Sequence, residues 1–496
     1  MRSKEVVSHR TICDPDIAGP ARPFGHDDRK HSRAWLPILL FSVALLIPCF
    51  WQTRIQAADL SSHIYNAWLA SRIEQGALPG LWISSQSDNV LFDLILQRLM
   101  SRFGPGPAQR IAVSASVLVF GWGAIFFVFA VAGRNWWIAG PSVAMFAHGF
   151  IFHMGFFNFY LSLGLCLWYL AIFWNREWHI RILAAPLVML AWLAHPLPVV
   201  WAAGTAIYVA LTEKTLPSRR LWILALGTTA IIAARYVLLH SYRCSWSVNQ
   251  AAFITGANQL ALFGTKYLLP LILVLLIWAF LLRDLLHRVG ASQFISRIPF
   301  QLWLLNAAAI FLLPTQVFFP TFARPFGFIA ERMSLSAAML TCCLVVQAPT
   351  TRLAKAVMLS AAVLFFGLLY QDDLELSHLE DRLDAVVAQI PPAQRVITPL
   401  FSQSLRSLCF LHDLDRACIG HCFSYANYEP SSRQFRIRAR AGNGIVLNEA
   451  SDVDSITYGG YKVQPRDVPL NMVYLCGKNF LDVCWRPLAV GDVVGN

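Results

Sequence analysis

The stretch AADLSSHIYNAW, residues 57–68, places an aspartate, two serines and a histidine directly after the first long apolar run of the chain. Asp59 and His63 are four residues apart, so on a helix they share one face. A carboxylate so placed can take the proton of an attacking hydroxyl, with the imidazole as its neighbour. Asp59 also has the type and position of a helix N-cap that satisfies free backbone amides, and His63 can equally be a hydrogen-bonded histidine at a membrane interface. Other acids are scarce. Between residues 35 and 371 they are Glu74, Asp88, Asp93, Glu177, Glu213, Asp284 and Glu331. Glu177, Glu213 and Asp284 stand beside basic residues at the ends of apolar runs, as solvated markers of topology do. Asp88 and Asp93 have the places of a cap and a polar-face residue.

The stretch FARPFGFIAERMSL brings Arg324, Glu331 and Arg332 to the mouth of a late apolar run. Arginine presents a rigid fork suited to phosphate; the alternative is an interfacial anchor with Glu331 as partner. His153, Asn158 and His195 fall in turns between apolar runs and are further candidates for substrate contact, although a polar group at a span end needs no function. The eleven cysteines divide by place. Cys49, Cys166, Cys342 and Cys343 lie in apolar runs, where cysteine behaves as a small hydrophobe. Cys409, Cys418, Cys422, Cys476 and Cys484 lie in the polar tail. In an oxidising compartment they are disulfide candidates, with no connectivity preferred: four can pair in three ways, and the fifth is free or pairs with Cys244. The CIGHC spacing, with His412 and His421 nearby, also allows a zinc site.

The elements that carry these residues read as a membrane protein. The 496-residue chain is 56% hydrophobic and 14% charged, against about 25% charged in soluble proteins. Apolar runs fall at 35–51, 109–132, 136–152, 159–174, 181–194, 197–211, 221–239, 267–282, 299–314, 333–348 and 354–370, which predicts about eleven transmembrane helices. Arg134, Arg176, Arg181, Lys214, Arg219, Arg220, Arg283, Arg288, Arg297, Arg352 and Lys355 occupy alternate loops. That alternation predicts a cytoplasmic N-terminus and a periplasmic C-terminus. The net charge of +12 does not indicate nucleic acid. Residues 1–371 hold 28 Lys/Arg and 13 Asp/Glu, residues 372–496 hold 12 and 15, and no basic reading surface appears.

Three regions follow: a basic cytoplasmic tail at 1–34 expected to be disordered, a transmembrane domain at 35–370, and a soluble periplasmic domain at 371–496. The first outer loop, 52–108, holds two helical stretches, 60–75 and 90–103, read as lying along the membrane with Tyr65 and Trp68 at headgroup depth. The tail opens with a charged helix near 373–389. Short β-branched runs at 395–398, 444–447 and 472–475 then read as a small α/β or β-rich domain.

One span, an immediate aspartate, a surface helix in a long outer loop and then many spans resemble the GT-C superfamily of membrane glycosyltransferases. DLSSHIYNAWLASRIEQGALPGLW looks like that family's first outer loop, where an acid after span 1 serves catalysis. Arg332 is similar to arginines that hold the lipid phosphate. The resemblance implies sugar transfer, with inversion, from a polyprenyl-phosphate-linked donor to a glycan, lipid or protein acceptor. It would take place at the outer face of the cytoplasmic (inner) membrane, with Asp59 as general base. It allows a divalent cation, Mg or Mn, although Asp59 is followed by Leu60 where many members have a second acid. The rival classes are a transporter or flippase, for which the chain lacks an internal repeat, and a non-catalytic scaffold displaying the tail.

Overall fold

Proline and glycine decide where the apolar runs break. The computed structural model describes residues 35–133, 136–174, 176–400, 402, 404–477 and 482–495. The expectation for residues 1–34, and the loop residue Arg134, lie outside these. Among the described residues four helices are long and apolar enough to cross a membrane: Pro105–Ala132, Pro217–Ser241, Thr265–Val289 and Arg352–Val387. The apolar helices Leu36–Cys49, Phe157–Phe173, Trp178–Ala194, Pro196–Thr212 and Ile298–Leu312 have 10–17 residues, fewer than the roughly 20 that span a bilayer upright. A membrane protein is therefore suggested, but the count of eleven spans is not supported. The run at 136–152 shows why. Pro141 starts one short helix, Gly140–Ala147, and Gly149 caps another, Phe150–His153.

Nine helices carry the description that follows: α1 (Ala58–Glu74), α2 (Leu91–Phe103), α3 (Pro105–Ala132), α4 (Phe157–Phe173), α5 (Pro217–Ser241), α6 (Leu268–Val289), α7 (Ile329–Val345), α8 (Arg352–Val387) and α9 (Leu405–Ala417). The strands are β1 (Leu81–Ile83), β2 (Arg243–Ser245), β3 (Gln316–Phe318), β4 (Arg395–Ile397), β5 (Phe423–Ser424), β6 (Ile437–Ala439), β7 (Tyr461–Lys462), β8 (Leu470–Cys476), β9 (Asp482–Leu488) and β10 (Val493–Val494). The last apolar run and the charged helix expected after it are one helix, α8, of 36 residues, about 54 Å long. The tail forms a four-stranded sheet in the order β5-β4-β8-β9. Its β4 is parallel to both neighbours and β9 is antiparallel to β8. Residues 444–447 form no strand.

The first outer loop packs into the tail. Tyr65 and Leu69 of α1 share a core with Leu383 of α8, Val396 of β4, Leu414 of α9 and Val473 of β8. Each such side chain contributes about 1.5–3 kcal/mol by leaving water. β1 pairs antiparallel with β6, Leu81 opposite Ala439. Two expectations for α1 are thereby corrected. Tyr65 is fully buried and its hydroxyl accepts from the Ser424 amide at 3.1 Å, and Trp68 packs on the same core; neither side chain marks headgroup depth. The N-cap of α1 is Ala57, with no side-chain cap. Asp59 instead sits in the first turn, which frees its carboxylate for another partner. In the tail, Cys418–Cys422 and Cys476–Cys484 lie at disulfide distance. Cys409 is a free, buried thiol, packed in a small cluster with Ala58 and Leu376.

Candidate functional site

α1 begins where it does because its first turn docks on the tight turn at 154–155. The Asp59 amide donates to the Met154 carbonyl at 3.2 Å. Gly155 has φ +77°, and a Cβ there would lie 2.5 Å from the Asp59 nitrogen, so the approach needs glycine for both space and conformation. This leaves the Asp59 carboxylate on the wall of a cavity of about 440 Å³. Asp59 Oδ1 lies 3.3 Å from His412 Nε2, and His412 Nδ1 lies 3.4 Å from Asp415 Oδ2. His412 and Asp415 are three residues apart on α9 and so project from one face. Burial disfavours the imidazolium of His412, but the flanking Asp415 and Asp59 carboxylates outweigh it and hold His412 above the usual histidine range. Tyr428 stands edge-on to the His412 ring at 5.5 Å.

Two arginines line the same cavity. Arg332, one turn into α7, places its guanidinium 4.1 Å from the centre of the Phe156 ring and 5.6 Å from that of Phe326. Arg324 pairs with Asp454 and lies 5.6 Å from the centre of the Tyr428 ring. The Nε of each arginine is buried without a hydrogen-bond partner. Both side chains line the cavity, so an anion bound in it would meet two arginines, one of them already paired with Asp454. The cavity lining is mixed: Met154, Phe156, Phe159 and Phe328 are apolar, and the tail adds polar Thr398, Asn427 and Gln434 along with apolar Leu408, Leu411 and Phe435.

Of the residues singled out in the sequence, Asp59, His63, Asn158, His195, Arg324 and Arg332 line this one cavity. His195 also caps the helix Pro196–Thr212, its Nδ1 accepting from the Leu197 amide at 3.2 Å. His153 and Glu331 are not in the cavity wall. His153 Nδ1 lies 2.8 Å from the Gln56 carbonyl, next to α1. Glu331 accepts from Thr315 Oγ1 at 2.5 Å, so it is not the partner of Arg324. Asp93 turns inward and holds His63, with Asp93 Oδ1 2.6 Å from His63 Nδ1. His421 lies 2.8 Å from the Ile390 carbonyl, and Cys418 and Cys422 meet each other rather than a metal.

Sequence reasoning named His412 only beside a candidate zinc site and not with Asp59, and did not find Asp415, Tyr428 or Gln434 as site residues. They lie more than 350 residues from Asp59, and only the HDLD stretch, with its histidine and aspartate at helical spacing, gave a local sign. A divalent cation does not fit these residues. Among those described, no group of three His, Cys, Asp or Glu side chains could hold one, and Asp59 faces an imidazole where a metal site would supply further carboxylates. No family model matches this chain, and no curated protein or solved structure matches it.

Proposed function

We propose that this protein is a GT-C-like membrane glycosyltransferase that moves a sugar from a polyprenyl-phosphate donor to an acceptor hydroxyl at the outer face of the cytoplasmic membrane. The observation that carries the reading is the one cavity whose lining includes Asp59 together with Arg332 and Arg324. In this reading Asp59 takes the proton of the acceptor hydroxyl. The hydroxyl oxygen bonds to the anomeric carbon from the face opposite the phosphate, and the carbon–oxygen bond to phosphate breaks. The phosphate leaves with the bonding pair and is met by the arginines. His412, which touches Asp59 and not the reacting atoms, orients the base. Phe156, Phe159 and Phe328 suit the apolar end of the donor, and Thr398, Asn427 and Gln434 suit a hydroxyl-bearing acceptor.

The placement of charge supports the proposed orientation. The cavity gathers residues from 59, 89, 154–159, 195, 316–332 and the tail, all of them segments expected outside. Loop arginines expected inside bind one another's segments: Arg181 donates to Glu213 at 2.6 Å, Arg220 to the Ser296 carbonyl at 3.3 Å and Arg297 to Gln347 at 2.6 Å.

The test is Asp59→Asn against Asp88→Asn, with glycolipid or glycan formation measured in membranes at matched expression. Asn keeps the size of the side chain while removing the base, which typically contributes about 10²–10⁴-fold in rate. Wild-type product levels from Asp59→Asn would remove Asp59 from the chemistry. Absence of any glycoconjugate that depends on the protein would favour transport.

A further inference from the structure

His63 is buried to 5% exposure at one end of the cavity. Its Nδ1 lies 2.6 Å from Asp93 Oδ1. The other Asp93 oxygen accepts from Asn158 Nδ2 at 2.7 Å, and Asn158 Oδ1 accepts from the Phe92 amide at 2.8 Å. That last bond fixes which way the Asn158 amide faces, so Asn158 can only donate to Asp93. The chain therefore has one polarity: Asp93 is the acceptor at both oxygens, and His63 Nδ1 carries a hydrogen. Phe92 stands edge-on to the imidazole at 5.6 Å. Nε2 has no hydrogen-bond partner among the described residues. A ring held by a carboxylate at one nitrogen, with the other left free in a residue that lines a cavity, is arranged as a working histidine is.

We propose that His63 donates a hydrogen bond from Nε2 to an oxygen of the anionic group that Arg332 and Arg324 hold, with Asp93 and Asn158 as positioning residues. The assignment of that group as a phosphate ester rests on the sugar-transfer reading; the donor itself does not. No proton is transferred, because the phosphate leaves as a stable anion and needs only charge and a hydrogen bond. The groups that face His63 are Asp93 from α2, Asp59 from its own helix and Glu429 from the tail, with Arg436 acting on Asp93. Burial disfavours the imidazolium, but these carboxylates prevail and raise His63 to about 9. It is thus a cation at neutral pH and loses its charge as pH rises through about 9.

The experiment measures binding of farnesyl phosphate, and in parallel inorganic phosphate, to the full chain in detergent as a function of pH. Wild-type affinity should fall as pH rises through about 9. His63→Gln should bind farnesyl phosphate ~10–100-fold more weakly at neutral pH, the range for a lost charged hydrogen bond, and should not show the fall. Asp93→Asn should move the fall to lower pH, since the neutral amide no longer holds the imidazolium. Glu429 titrates in the same window, burial and Asp93 raising it to about 8, so the profile is repeated in Glu429→Gln. The fall persists there if His63 is the titrating group, and its disappearance overturns the proposal. A flat wild-type profile overturns it without any variant, and so does His63→Gln binding as tightly as wild type. Inorganic phosphate binding with equal affinity and the same dependence on His63 would support the donor and overturn the lipid ester. If no glycoconjugate depends on the protein while His63→Gln loses binding, the sugar-transfer reading fails and the anion site stands.

Discussion

Gly155→Ala should separate catalysis from stability at the point where α1 docks. The perturbation has two components. The first is conformational: Gly155 has φ +77°, where an L-residue costs about 1–2 kcal/mol. The second is steric. The new Cβ would lie 2.5 Å from the Asp59 nitrogen, 2.7 Å from the Leu60 nitrogen and 2.9 Å from the Asp59 Cα. All three are backbone atoms, so no side chain can swing away. Restoring ordinary contact needs a shift of roughly 1 Å, and a displacement of that size at a reacting group can cost about 10²-fold in rate. Gly290 provides the control, having φ +78° and nothing within 4 Å of a Cβ. Gly290→Ala therefore carries the conformational cost alone. Both variants should lower the midpoint of thermal unfolding in detergent, read by tryptophan fluorescence. Only Gly155→Ala should lower the rate of product formation per folded molecule. Equal rates for Gly155→Ala and wild type would refute the claim that the 154–155 turn sets the position of Asp59.

Arg416 bonds Glu380 through Nε at 2.6 Å and Nη2 at 2.7 Å and reaches Gln109 at 2.9 Å. Arg416→Met should cost up to about 3–5 kcal/mol by leaving the buried Glu380 with only the longer Arg54 contact at 3.5 Å and the Gln56 amide at 3.0 Å, and Arg416→Met with Glu380→Met should restore part of the loss; a double variant no better than the single one would count against this. Glu429 is raised from 4.5 to about 8 by burial and by Asp93, so the folded form keeps a proton the unfolded chain releases. Its contribution to stability is full below about pH 4.5 and is lost as pH rises through 8; Glu429→Gln should flatten that part of the profile, and an unchanged slope would show that another group sets it. Alkylation followed by mass spectrometry should label Cys418, Cys422, Cys476 and Cys484 only after reduction, and Cys409 after unfolding alone; five free thiols in protein from the native membrane would contradict the two pairs. Reporter fusions at residue 215 and after residue 496 should report opposite sides of the membrane, and the same side for both would sink the orientation.

The sequence by itself determined the local quantities. Apolar runs showed which segments avoid water. Spacing put Asp59 and His63 on one helix face, and scarcity of acids outside the basic loops singled out Asp59. The tail strands at 395–397 and 472–475 followed from β-branched residues between turn formers, whereas 444–447 has similar composition but no neighbouring strand to pair with. Tertiary structure decided everything that joins distant segments. Asp59 lost its capping role because the backbone of α1 starts two residues earlier than a cap at Asp59 requires, against Met154 and Gly155. Asp93, which from its spacing belonged to a polar face, became the partner of His63 because Asn158 of α4 meets its other oxygen. Arg324 found Asp454 and not Glu331, and His412 came to Asp59 from more than 350 residues away. Periodicity reports which face of an element avoids water, but not which other element covers it. That choice depends on long-range packing, and here it brought the tail, not the bilayer, onto the helix that carries Asp59.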